Sequence, residues 1–277
     1  RRLGAAEGIW SPRLNQTAMV LLLTIPALLL TAGWAEPRDL TFVAQADGTT
    51  QRYVELLPTD YDAQRSYDLL LAFHGHGSDR WQYVREERGE CRGARDVAAA
   101  HGMIFVSPDY RASTSWMGPL AEADTVQLIA ELRARHHVGR VYLVGGSMGG
   151  TSVLTFAALH PDLVAGVSSQ NGCANHLEYT GFQDAIAASF GGSKQAIPEE
   201  YKRRSAEYWP ERLTMPIAIT AGGKDQGVPA ASVMRLADVL GKMGRPPRVI
   251  YRPDGGHATD YDDTVAALEY VLAAAAR

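Results

Sequence analysis

The sequence predicts an α/β domain on a mostly parallel, doubly wound sheet, with an N-terminal β-hairpin and a short insertion. Three observations carry this. Short apolar runs alternate with helix-length segments from about residue 67 to residue 275. One run passes directly into a glycine–serine–glycine turn. The residues best suited to chemistry fall just after apolar runs, at the strand ends where ligands bind in such sheets. Of the 277 residues, 46% are hydrophobic and 21% charged, an ordinary globular balance. No linker or repeat interrupts residues 40–277, so one domain over 36–277 is expected.

The elements follow in order. Residues 39–57 alternate around a turn signal at Ala46-Asp47-Gly48, which reads as a hairpin. Tyr67–Phe73 is a buried strand ending at His74-Gly75-His76-Gly77. A helix from about Cys91 to His101 precedes the strand Met103–Ser107. Gly118-Pro119 opens the next helix, Leu120 to about His136, because proline is tolerated in a first helical turn. The strand Val141–Val144 runs into Gly145-Gly146-Ser147-Met148-Gly149. A helix from Met148 to about Leu159 and a strand Val164–Ser168 follow. Residues 173–213 have weak periodicity and read as the insertion. Alternation resumes with the strand Pro216–Thr220, a helix over 230–243, the strand Arg248–Tyr251 and a last helix over 261–275. Strands separated by helices of this length pair in parallel, with helices on both faces.

Residues 1–35 stand apart. Ala18–Ala32 is apolar and uncharged, with Arg1, Arg2 and Arg13 upstream and small residues Gly33 and Ala35 before Glu36. This is the layout of a signal peptide, and the apolar run is shorter than the ~20 residues a membrane span needs. A secreted or periplasmic protein is expected, with an uncleaved anchor as the alternative. In an oxidising compartment Cys91 and Cys173 could pair, although two cysteines are not a framework. Neither lies in a cluster of Cys and His large enough to complete a metal site. The net charge of −4 gives no electrostatic reason to expect nucleic acid or an anionic membrane as a partner.

The chemistry centres on Ser147. A strand entering Gly-x-Ser-x-Gly is the sequence form of a nucleophile elbow. Glycines at 145 and 149 remove side chains that would collide where strand and helix cross, and the serine is left at the tip of a helix N-terminus. A serine needs a base, and the base needs an orienting acid. His257, in Asp254-Gly255-Gly256-His257 past the last strand, is the candidate base, with a surface-loop histidine as the bland reading. Asp225, in Ala221-Gly222-Gly223-Lys224-Asp225, is the candidate acid, with a helix cap as the bland reading. The chain order Ser147, Asp225, His257 is the order expected for this elbow architecture. The backbone N–H of Met148 is the first expected oxyanion donor; that of His76 is the second, with Gly77 as the alternative.

Other residues carry weaker expectations. Tyr110, Trp116 and the ring of His76 are candidates for substrate binding. Trp116 reads equally well as packing, and His74 reads as structural. Glu122 and Asp124 suit the dipole of a helix start. His136-His137 is no metal pair, since adjacent residues do not face one another. Ser115, Ser193 and Ser205 lack elbow context. Tyr208 and Trp209 are placed at the pocket mouth.

The stretches LLLAFHGHGS, VYLVGGSMGG, PIAITAGGKDQGVP and PDGGH resemble the α/β-hydrolase superfamily over roughly residues 50–275. They are most similar to secreted esterases of the polyhydroxybutyrate-depolymerase, feruloyl-esterase and acetylxylan-esterase kind, grouped with prolyl-oligopeptidase-like hydrolases. The resemblance implies an α/β-hydrolase fold, Ser147 as nucleophile, Asp225 as acid and His257 as base. One departure is HGHG in place of the HGGG of many lipases. The expected activity is hydrolysis of a small or polymer-linked carboxylic ester, carbohydrate-linked, hydroxycinnamoyl or polyester, through an acyl-enzyme and with no cofactor. Two alternatives stand beside it: a serine peptidase, and a non-catalytic binding module. Prolyl-oligopeptidase relatives usually carry a large propeller that selects peptides, and these residues leave no room for one, so esters are expected first.

Overall fold

In the computed structural model, residues 33–277 are described. The apolar stretch expected to direct export lies outside them. Gly33–Ala35, assigned above to that leader, are inside. Trp34 bridges Pro58, the Ala35 N–H donates to Leu57 O at 2.9 Å, and the Trp34 ring sits 6.0 Å from that of Phe105. No helix among the described residues is long and apolar enough to cross a membrane.

The sheet has eight strands: β1 (Arg38–Val43), β2 (Thr50–Leu56), β3 (Ser66–Phe73), β4 (Ile104–Pro108), β5 (His137–Gly146), β6 (Gly166–Gln170), β7 (Ile217–Gly222) and β8 (Arg248–Arg252). Their order is β1-β2-β4-β3-β5-β6-β7-β8, and all pairs from β4 to β8 are parallel. β1 and β2 form the expected antiparallel hairpin, and β2 also runs antiparallel to β4. The α/β class and the mostly parallel sheet are both as the residue pattern predicts.

Strand alternation then divides the core in two. Leu69, Leu71, Phe73, Val141 and Leu143 face one layer, packed by α3 (Pro119–Arg135), α4 (Met148–Leu159) and α7 (Ala231–Lys242). Leu70, Ala72, Tyr142 and Val144 face the other, packed by α2 (Gly89–Ala100) and α8 (Tyr261–Ala275). Successive residues of one strand thus serve opposite layers, as period-two geometry requires.

The pattern missed short elements. α1 (Gln82–Arg85) is one turn, and the insertion holds α5 (Gln183–Phe190) and α6 (Pro198–Arg203). Cys91 and Cys173 are free thiols. The pairing left open above is not made. Both are buried, and burial, the main cause, pushes Cys91 up to about 12 and Cys173 up to about 11, so neither is a ready nucleophile.

Candidate active site

The turn between β5 and α4 sets the geometry. Ser147 has φ 58° and ψ −118°, a backbone that non-glycine residues rarely adopt. A Cβ on Gly145 would lie 2.5 Å from the Gly149 carbonyl, and one on Gly149 would lie 2.0 Å from Phe73 O. Only glycines allow β3, β5 and α4 to approach this closely. The Ser147 N–H donates to Gln170 O at 2.8 Å, which ties the turn to the end of β6.

Two loops bring partners to the hydroxyl. His257, on the β8–α8 loop, places Nε2 2.8 Å from Ser147 Oγ and Nδ1 2.6 Å from Asp225 Oδ2. Asp225, in the turn after β7, has a side chain only 1% exposed. Its other oxygen accepts the N–H groups of Gly227 and Val228, both at 2.9 Å. Asp225 is not a helix cap, since the residue before α7 is Ala230. A carboxylate on Nδ1 favours the tautomer that leaves Nε2 free to accept a proton from the serine.

The N–H groups of His76 and Met148 make no hydrogen bond with any described residue. Met148 is the first residue of α4, where N–H groups lack partners within the helix. The Gly77 N–H instead donates to Ser113 O at 2.7 Å, so Gly77 does not have a free donor and that alternative is corrected.

Ser147 opens into a cleft of about 500 Å³ that includes His76, Arg88, Glu90, Asn171, His257 and Thr259. Among the described residues no large hydrocarbon side chain lines it. Burial raises the pKa of Glu90, opposed by the charge of Arg88.

Two expected binding residues lie elsewhere. Tyr110 is buried, packs on Phe73 and His74, and donates its hydroxyl to His74 O at 2.6 Å. Trp116 is fully buried and donates its indole N–H to His76 Nδ1 at 3.1 Å. It orients a cleft residue from behind; neither it nor Tyr110 lines the cleft. The His76 ring does line it, and burial lowers its pKa. The ring lies 4.1 Å from that of Phe182, an exposed residue at the start of α5. His74 is enclosed between Gly75 O and Asp109 O. Tyr208 and Trp209 do not line the cleft.

Gln170, Asn171, Thr259 and Glu90 were missed. The first two could have been found, because they follow within three residues the predicted strand Val164–Ser168, on the side where ligands bind. Glu90 depends on how α1 and α2 pack, which no local signal reveals. Among the described residues no group of three or more His, Cys, Asp or Glu could hold a metal ion.

A model of the prolyl oligopeptidase family matches residues 93–273, more than half of the chain. No curated protein matches the sequence. Solved structures do. A ferulic acid esterase has 18% identity and TM-score 0.66, over 86% of this chain and 97% of its own. The S-formylglutathione hydrolase FrmB of Staphylococcus aureus has 16% identity and TM-score 0.66, over 89% and 100%. Puromycin hydrolase has 20% identity and TM-score 0.69, over 87% of this chain but 39% of its own length. At these identities the structures share the α/β-hydrolase fold and carry no substrate across.

Proposed function

The chain belongs to the prolyl oligopeptidase family and is a serine hydrolase with the α/β-hydrolase fold, and from that premise we propose that it is a serine esterase acting on polar, carbohydrate-linked carboxylic esters. The observation that carries the reading is the relay from Ser147 through His257 to Asp225, opening into a small polar cleft. A wall of Glu, Arg, Asn and Thr suits hydroxyl-rich groups better than a hydrocarbon chain. For the same reason hydroxycinnamoyl and polyester substrates rank behind.

In the proposed reaction Ser147 Oγ attacks the ester carbonyl carbon as His257 Nε2 takes its proton. The N–H groups of His76 and Met148 hold the oxyanion of the tetrahedral intermediate. Collapse breaks the carbonyl–alkoxy bond, and His257 returns the proton to the leaving alcohol. Water then repeats the sequence on the acyl-enzyme, giving the acid and free Ser147. Asp225 keeps the imidazole oriented and stabilises its cation. Nothing in these steps calls for a metal, so a chelator is expected to leave the rate unchanged. The apolar, arginine-preceded stretch before residue 33 supports export as the place of action.

The family match favours a peptidase as the second reading. Rates on acetylated xylan, methyl ferulate, a soluble polyester and aminoacyl nitroanilides, measured side by side, separate the two. Acetylated xylan is expected to be turned over fastest. Turnover of the nitroanilides at rates above every ester would replace the esterase reading with the peptidase one.

A further inference from the structure

We propose that Asn171 and Thr259 are positioning residues that set the distance between Ser147 and His257, a role that rests on the relay described above. Both sides of that pair are fixed through one place, the end of β6. Gln170 accepts the Ser147 N–H through its carbonyl at 2.8 Å. The next residue, Asn171, donates Nδ2–H to Thr259 Oγ1 at 2.8 Å. Thr259 lies two residues beyond His257. Its Oγ1 also meets Thr220 Oγ1, on β7, at 2.6 Å, and Thr220 O in turn accepts the Asn171 N–H at 2.9 Å. Nucleophile and base are therefore strung on adjacent residues of one strand end.

The loop carrying His257 has little else to hold it. Gly255 is anchored by Lys224 N–H to its carbonyl and by its own N–H to Arg252 O. Asp260 is anchored because its carboxylate accepts the Asp263 N–H at the start of α8. Between those two points, the hydrogen bonds among the described residues come from the His257 ring and from Thr259 Oγ1. The His257 side chain is 39% exposed, so packing alone does not confine it.

Asn171 is costly to keep. It sits at φ 46°, in the left-handed region, and is only 6% exposed. Asn171 lines the cleft, and its buried Oδ1 has no hydrogen-bond partner among the described residues. A residue retained for packing would avoid both the strain and the unpaired oxygen. Fixing reacting groups in near-attack geometry gives such a residue its use, since a displacement of about 1 Å can cost about 100-fold in rate.

The experiment compares Thr259→Val, Thr259→Ser and Asn171→Gly with the unmodified chain on one short nitrophenyl ester. Valine keeps the shape and removes Oγ, serine restores Oγ, and glycine tolerates the left-handed backbone while removing the amide. The valine and glycine variants are expected to lose on the order of 10–100-fold in kcat, with KM within about two-fold. Fluorophosphonate labelling should slow in parallel, and the serine variant should recover most of the rate. Overturning results are kcat within about two-fold of the unmodified chain in both the valine and glycine variants, a loss in KM rather than kcat, or no recovery in the serine variant. A fully active Ser147→Ala chain would instead overturn the relay itself, so the two failures are distinguishable.

Discussion

Ser147, Asp225 and His257 are separated by 110 and 32 residues along the pairs they form, yet lie within hydrogen-bond reach. Their order and their glycine-rich settings were legible because each motif states a local backbone requirement. Tyr110 and Trp116 were misplaced because burial is decided by distant packing: Trp116 is covered by Tyr179 and Phe182 of the insertion. Gly77 was misplaced because its N–H is taken by Ser113, a pairing no motif encodes. Asp225→Asn is expected to lower kcat by about 10³–10⁴-fold in a folded protein, since an amide supports the wrong tautomer of His257. Steady-state rates on a short ester check this. Turnover near that of the unmodified chain would move the acid elsewhere; Asp254, paired with Lys224 at the surface, would be the next to test.

At the scale of elements, the long strands and helices were legible within a few residues, since each repeats its period several times. The bounds of α4 and α8 agree with the pattern at both ends. α1 and α6, of four and six residues, are too short to show a helical period. The β5–α4 junction is the element most dependent on sequence detail. Gly149→Ala places a methyl 2.0 Å from Phe73 O, and backbone cannot give way as a side chain would. The expected cost is on the order of 3 kcal/mol or more. A thermal melt should show a midpoint lowered by about 6–12 °C, or no cooperative transition. An unshifted midpoint would contradict the close approach of α4 to β3.

Across the whole molecule, a partly buried ion cluster joins the insertion to the body. Glu122, on α3, accepts hydrogen bonds from His160, Arg203 and Arg204, and Arg204 is fully buried. Burial alone would raise Glu122, but the His160 and Arg203 hydrogen bonds and the charge of Arg204 outweigh it and bring its pKa from 4.5 down to about 2. A depressed carboxylate contributes stability above its unfolded value and loses it as pH falls from there through the folded one. Glu122→Gln should therefore be less stable than the unmodified chain at neutral pH, by up to about 3 kcal/mol, with the gap closing between about pH 4.5 and 2. Urea unfolding at several pH values measures this, and a gap that stays constant with pH would refute it. Every step of the proposed reaction depends on Ser147 as the nucleophile, which intact-mass measurement after treatment with a fluorophosphonate reads out. One adduct per chain is expected, located on the peptide containing Ser147, and none on Ser147→Ala. Undiminished labelling of Ser147→Ala would contradict it.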